Sequence, residues 1–505
     1  MLWRFEDMPQ FGELHDDSIY YVSAKTLAAG EGYKLADLPG EPAETKFPPL
    51  YPLLLSAAWK MDPAFPHNLR SAAWISWLAF PAVMALLMMS YPRMGFSNGL
   101  TWLLLAVLAI NPFLILFSGR LISEIWFTAF LLLSLVLTEE DGGAGTVVAA
   151  GVIGGLAYLT RSAGIVLLAS GPLFYWVRGK KHCALAYGAG MLPFVIGWTV
   201  WSRVNMLTTS DPDLIYYVNY IAGYFNNISL SALPLYMWKN LDGLLTSLGS
   251  LVLPQVFGIG FLKGIAWVMA IVMIAGVVRL VRDAHGAAYA YFAAGSVLLL
   301  LVWHFPPNER LVLPVFPLGL AGLVYELRNF VTTMAKGLKQ PEMGQRVIGA
   351  MMIGVLGLIL LGSFVLQLYV GLVFLPDGAS AQRTANIPNR AAYAWIRAST
   401  PADVDFFAAL DPLFYLYTGR HAMSRPLPPA LWYHDDREGV LAHYSELVPY
   451  ARAHNLRYVL VNDADFRQEM NDEDRVQLEK AIRSNPGLKR VWEKDTAAIY
   501  QILPP

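Results

Sequence analysis

The sequence predicts an α-helical polytopic membrane protein of about ten spans, followed by a soluble α/β domain at its carboxy-terminal end. Three observations predict it. Of 505 residues, 56% are hydrophobic and only 15% charged, whereas soluble domains carry roughly a quarter charged residues. Apolar runs of the length needed to cross a bilayer recur between residues 71 and 372. After about residue 376 the composition shifts to apolar and charged segments in alternation, as in an ordinary soluble domain. The net charge of −1, from 37 Lys and Arg against 38 Asp and Glu, leaves no basic surplus to neutralise phosphates, so no nucleic-acid partner is expected. A single cysteine, Cys183, excludes an intramolecular disulfide and any Cys-based metal cluster.

The spans fall near residues 71–90, 99–118, 122–137, 146–160, 163–177, 184–203, 262–281, 287–303, 309–326 and 348–372. The pair flanking Thr160-Arg161-Ser162 reads either as two tilted helices or as one broken one. Basic residues collect in one alternate set of loops: Arg93, then Arg178, Lys180 and Lys181, then Arg279 and Arg282, then Arg328, Lys336, Lys339 and Arg346. By the positive-inside rule these loops are cytoplasmic. The opposite set is then extracytoplasmic. It holds the acidic segment 1–70, the turns at Gly119-Arg120-Leu121 and Thr160-Arg161, the segment 204–261, the turn from His304 to Arg310, and everything after about 375. Both termini are thereby expected outside the cytoplasmic (inner) membrane. Met1-Leu2-Trp3-Arg4 has neither a charged n-region nor an apolar h-region, so a further leading transmembrane helix is expected to have preceded it and exported this segment.

The organisation is then a first outer segment (1–70), a membrane domain (71–375) and an extracytoplasmic α/β domain (376–505). In the last, helices are expected at 389–398, 439–454 and 472–484, strands at 404–409 and 456–461, and a closing hairpin over 488–503. No Gly-rich phosphate loop follows either strand.

Chemistry concentrates in the outer set. His15-Asp16-Asp17-Ser18-Ile19-Tyr20-Tyr21 places two carboxylates at the start of an amphipathic helix, where they serve either as an N-cap or as acid–base groups. Lys46-Phe47-Pro48-Pro49-Leu50-Tyr51 sets a cation before a stiff Pro pair and an apolar helix suited to the membrane surface. That cation is either a snorkelling lysine or a ligand-binding one. Glu124, in Arg120-Leu121-Ile122-Ser123-Glu124, opens a span and either caps it, pairs with Arg120, or works in a site. Arg161, within an otherwise apolar stretch, is a functional candidate or a partner of Glu124. In His304-Phe305-Pro306-Pro307-Asn308-Glu309-Arg310 the two charges are either a structural pair or part of the site. All of these lie on the outer surface by topology. A carboxylate base beside cations able to hold a lipid phosphate, without a nucleotide motif, suits group transfer from a lipid-linked phosphate donor.

These motifs, in this order, resemble the GT-C superfamily of integral-membrane glycosyltransferases, and most of all its bacterial branches related to aminoarabinose transferases and protein O-mannosyltransferases. The likeness rests on the acidic pair, Lys-x-Pro-Pro-Leu-Tyr-Pro, Ser-Glu opening a later helix, Leu-Thr-Arg-x-x-Gly, and a soluble outer tail. It covers about residues 10–375. The resemblance implies a polyprenyl-phosphate sugar donor, a lipid, glycan or protein acceptor, and an inverting transfer in the cell envelope. Asp16 matches the general base, Asp17 its neighbour and Glu124 the later acid. Lys46 matches a cation on the donor phosphate, and Arg161 and Arg310 are similar in placement to cations near the donor. His15, Tyr20, Tyr51, Arg120 and His304 are the remaining candidates for the acceptor pocket. Some relatives hold a divalent metal near the acids and others do not, so a metal at Asp16 and Asp17 stays open. The other readings of the charged positions are a secondary transporter or lipid flippase, with Glu124 and Arg161 as its site, and a non-catalytic scaffold.

Overall fold

The computed structural model describes residues 8–140, 142–219, 230–283, 286–338, 343–462, 465–467 and 469–504. Met1-Leu2-Trp3-Arg4, Lys339 and the side chain of Arg346 lie outside what is described. Each apolar run forms a helix. Among the described residues five helices are long and apolar enough to cross a membrane: Leu69–Arg93, Lys181–Asn205, Gly260–Arg282, Glu309–Lys336 and Val347–Ser399. Asn98–Ile110 and Pro112–Gly119 pass the same test only together and are bent by 59°, as a broken span or a re-entrant loop, where the sequence predicts one span at 99–118. The bend follows from Asn111-Pro112. Proline disfavours a helical residue before it, and Asn111 is extended there, its Oδ1 accepting the N–H groups of Phe113 at 3.1 Å and Leu114 at 3.2 Å to start the next helix. Shorter apolar helices, Glu124–Thr138, Ala144–Thr160, Ser162–Val177 and Ala287–Leu301, complete the set. The chain around Arg161 thus forms two helices rather than one broken one.

Without water to drive them together, membrane helices associate where small residues let backbones approach. Ala144–Thr160 meets Lys181–Asn205 at Gly151, where a Cβ would lie 2.1 Å from the Tyr187 carbonyl oxygen. Gly276 approaches Gly322 as closely, with a Cβ meeting that carbonyl oxygen at 2.0 Å. The helix Val347–Ser399 does the opposite: its most apolar stretch is only 11% buried, leaving Leu358, Leu361 and Leu372 exposed on a surface fit for lipid. This helix passes through a π-helical turn at Val370–Phe374 and continues as Leu375–Ser399, so no break separates the last span from the polar helix predicted at 389–398.

Chain order places the basic loops after Arg93, Val177 and Arg282 at one end of the helices. The turns before Glu124, Ser162 and Glu309 lie at the other, with the amino-terminal segment. That segment folds as Asp16–Ala29 packed on Leu50–Met61. The carboxy-terminal region forms a five-stranded sheet of β1 (Phe406–Phe407), β2 (Ala422–Met423), β3 (Tyr458–Asn462), β4 (Leu488–Lys494) and β5 (Ala497–Ile502), in the order β2-β1-β3-β5-β4. β1 runs parallel to β2 and β3, and β4 and β5 make the expected hairpin. The predicted helix at 439–454 divides into Arg437–Ser445 and Leu447–Ala453. Asp411–Thr418 and β2 are additions that alternation alone does not mark. One apolar core joins the two outer parts, with Phe11, Tyr21 and Leu35 packed in the same cluster as Phe407, Leu413 and Tyr450. The Asp37 carbonyl also accepts the N–H of Ala422 at 2.8 Å, beside the short edge strand β2.

Candidate active site

The amino-terminal segment delivers its chemistry through one sharp turn. His15 has φ 59° and ψ −52°, a conformation L side chains rarely adopt, and beyond it the helix Asp16–Ala29 begins. The two adjacent carboxylates consequently meet different surroundings. Asp16 lines a cavity of about 740 Å³ between the helical domain and the carboxy-terminal domain, and its Oδ2 accepts from Arg310 Nη2 at 2.7 Å. Burial pushes the Asp16 carboxyl up, but Arg310, Lys46 and Arg161 outweigh it, so Asp16 lies below its ordinary value and is ionised.

Asp17 is 1% exposed and does not line this cavity. Its oxygens accept the backbone N–H groups of Gly12 at 3.1 Å and Ser18 at 2.8 Å. Burial raises its carboxyl to about 6, with the Gly12 N–H and Arg120 opposing. A folded-state value raised above the ordinary 3.8 favours the protonated form. Its stabilising contribution is therefore full below that value and lost as pH rises through about 6. Asp17→Asn is expected to flatten this dependence. It also leaves one N–H facing an amide NH2, at a cost of about 1–3 kcal/mol, while transfer per folded molecule is retained. Thermal unfolding from about pH 4 to 8, with turnover normalised to folded protein, checks both.

Glu124 opens the helix Glu124–Thr138 and is fully buried. Its Oε1 accepts from Arg161 Nη1 at 2.5 Å and also from Arg310 Nε. The structure thereby links Arg161, Glu124, Arg310 and Asp16 in a chain of two cations and two anions. Arg161 reaches the cavity because the helix Ala144–Thr160 ends there and the Arg161 backbone is extended. Of the alternatives open in the sequence, Glu124 does pair with Arg161. Arg120 pairs instead with Glu13 at 3.3 Å, and Arg310 takes Asp16 and Glu124 rather than Glu309.

Lys46 stands outside this neutral chain. It is 4% exposed and lines the same cavity. Its Nζ lies 3.7 Å from the centre of the Tyr216 ring and 5.2 Å from that of Phe47. No carboxylate comes within 4.0 Å of it among the described residues. Burial lowers its pKa, with Asp16, Glu44 and Asp411 opposing. The loop carrying it is pinned: Glu44 Oε1 accepts the backbone N–H of Lys46 at 2.6 Å and of Phe47 at 2.9 Å, and Thr45 Oγ1 donates to the Val218 carbonyl at 2.5 Å. A buried ammonium cradled by two ring faces, with no carboxylate in contact among the described residues, is placed to meet an anionic group of a ligand in the cavity.

Of the remaining candidates, His15, Tyr20 and His304 line the cavity. Tyr20 Oη is 3.4 Å from Ser123 Oγ. Burial, with Lys46 adding to it, drops the His304 imidazole to about 2, so it is neutral. Tyr51 and Arg120 do not line it. Tyr51 Oη bonds Ser76 Oγ at 2.6 Å in the packing beneath. Tyr216 and Asp411 were not legible beforehand, since each reaches the site from a segment without a motif of its own.

The acids do not gather around a common metal position, because Asp16 is engaged by Arg310 and Asp17 by backbone N–H groups. Among the described residues, Asp211, Asp213 and His454 converge with donor atoms all within 4.8 Å of one another, and that group could hold a metal.

No family model matches the chain, and no curated protein matches it by sequence. Solved structures do match. The crystal structure of ArnT from Cupriavidus metallidurans bound to undecaprenyl phosphate superposes with a TM-score of 0.52 at 12% identity, covering 99% of this chain and 97% of that one. The apo crystal structure of the same ArnT gives 0.49 at 12% identity, covering 96% and 93%. The cryo-EM structure of the arabinofuranosyltransferase AftD from Mycobacteria gives 0.47 at 13% identity, covering 96% of this chain and 38% of that one. The chain is thus a multi-pass α-helical membrane protein with a carboxy-terminal α/β domain, and along nearly its whole length it has the GT-C-like fold of ArnT, the likeness its motifs predicted.

Proposed function

We propose that the protein is a glycosyltransferase of the cytoplasmic membrane, moving a sugar from a polyprenyl-phosphate donor to an acceptor hydroxyl at the outer face, with inversion. The observation that carries this reading is Lys46, a buried cation without a carboxylate in contact among the described residues, facing the same cavity as the ionised Asp16. The shared fold with ArnT, whose structure holds undecaprenyl phosphate, supports it. The acceptor oxygen attacks the anomeric carbon as Asp16 removes its proton. Lys46 and Arg161 face the departing phosphate, where negative charge grows and a fixed cation lowers the barrier most. Glu124 works at one remove. By binding both arginines it holds them at the cavity wall despite their mutual repulsion. The prenyl chain lies along the apolar wall that Phe127, Phe292 and Leu299 give the cavity. Lipid, glycan and protein hydroxyls remain the acceptor classes to be compared.

Added undecaprenyl phosphate is expected to raise the unfolding temperature of the detergent-solubilised chain, since a ligand at a hundred times its Kd adds about 2.7 kcal/mol. Lys46→Ala removes a charged contact of about 1.5–3 kcal/mol, so the concentration needed for the same shift rises about tenfold to a hundredfold. Equal shifts in both proteins would remove Lys46 from the donor site.

A further inference from the structure

Asp411 opens the helix Asp411–Thr418 of the carboxy-terminal domain and is fully buried. Its Oδ1 meets His15 Nε2 at 2.7 Å across 396 positions of sequence, and its Oδ2 has no partner among the described residues. Asp37, also fully buried, has neither carboxylate oxygen bonded to another of the described residues. Burial, then Asp411, holds Asp37 well above the ordinary carboxylate range, so it is neutral. The other charged groups acting on the ring are Asp16 and Lys46, and the Tyr217 ring lies 6.2 Å away. With Nε2 directed at Asp411, the neutral imidazole carries its proton there and its lone pair on Nδ1, the tautomer required of a base. Arg310 and Lys46 favour the ionised form of Asp16, so once protonated it gives the proton up readily to a nearby base. His15 precedes it directly and lines the same cavity.

We propose that His15 and Asp411 form a carboxylate–imidazole pair between the two domains, in which His15 accepts from Asp16 the proton taken from the acceptor hydroxyl and Asp411 is the positioning residue. The inference rests on the transferase reading. The acceptor O–H bond breaks as its oxygen bonds the anomeric carbon, and the electron pair of the carbon–phosphate oxygen bond leaves with the phosphate. The proton passes to Asp16, then to His15 Nδ1, and from the imidazolium to water. The catalytic centre is therefore complete only with the carboxy-terminal domain docked.

The test uses the full chain in lipid nanodiscs holding synthetic undecaprenyl-phosphate arabinose, mannose or glucose, with membrane glycolipid extract as acceptor. Release of undecaprenyl phosphate is followed from about pH 5 to 9. His15 must be neutral to accept a proton. Burial lowers its pKa, but Asp411 outweighs burial and holds it above the ordinary 6.5. The wild-type rate is expected to fall as pH drops through a value above 6.5. Asp411→Asn should move this limb to lower pH and reduce the plateau on the order of a hundredfold, and Asp411→Glu should restore the limb. His15→Gln, which keeps the buried Asp411, should remove the limb altogether and so reads the relay even if Asp411→Asn folds poorly. An unmoved limb in Asp411→Asn together with an intact limb in His15→Gln overturns the relay while leaving the transferase standing. Failure of the wild type to turn over any of the donors overturns the transferase reading itself, and the relay with it.

Discussion

Asp16→Asn is expected to reduce sugar transfer by a factor on the order of 10²–10⁴, the usual worth of a positioned general base, in a protein that still folds. The substitution removes the carboxylate charge at the cavity wall and changes almost nothing else. Arg310 keeps Glu124 through its Nε, so the guanidinium stays placed, with Glu124 now shared as the remaining acid of the chain between Arg310 and Arg161. The buried N–H contacts beside the site belong to Asp17, not Asp16. Donor binding should persist, because Lys46 and Arg161 are untouched, so the effect falls on kcat rather than on KM. Asp16→Glu should also be impaired, by about a hundredfold, since one added methylene shifts the carboxylate by roughly an ångström. Transfer assays with circular dichroism as the folding control check both variants. A folded Asp16→Asn protein with full turnover would remove Asp16 as the base.

Glu124→Ala is expected to destabilise the fold by about 3–5 kcal/mol, the cost of breaking a buried ion pair from one side. Glu124 is fully buried and is the one acid bound by both Arg161 and Arg310. Without it two guanidiniums face each other at the end of the spans, and only Arg310 keeps an acid, Asp16. A second substitution, Arg161→Leu in the Glu124→Ala background, should recover part of the loss by deleting the cation that has no remaining acid. This coupling is what distinguishes an electrostatic cause from lost packing. Thermal unfolding of the single and double variants in one detergent measures it. Additive effects would mean that Glu124 acts through packing alone.

The helical part of the fold was legible because its cause is local. Each apolar run became helical and the chain turns at Thr160-Arg161, whereas the run at 99–118, expected as one span, is bent by 59° at Asn111-Pro112. Arg161, Glu124 and Arg310 were legible as a group because charge at a span's end is costly unless used, so topology alone placed them on one side. The separation of Asp16 from Asp17 was not legible. Adjacent carboxylates look alike in sequence, and what divides them is the positive φ of His15 and the Gly12 N–H that turns Asp17 inward. The reach of Asp411 was equally hidden. Asp411 opens a helix that alternation alone does not mark, and its partner lies 396 residues away, brought near by the apolar core shared between the outer segment and the sheet. β2 escaped notice for the same reason: it is two residues long and exists through its pairing with β1.

Native mass spectrometry of the gently purified chain for co-purifying lipid reads whether Lys46 and Asp16 face a polyprenyl-phosphate sugar. A bound polyprenyl phosphate or its glycoside is expected in the wild type, weakened in Lys46→Ala, and retained or enriched as the glycoside in Asp16→Asn, where the mass names the sugar. Ordinary phospholipid alone in every version, even with polyprenyl phosphate added, would contradict that placement.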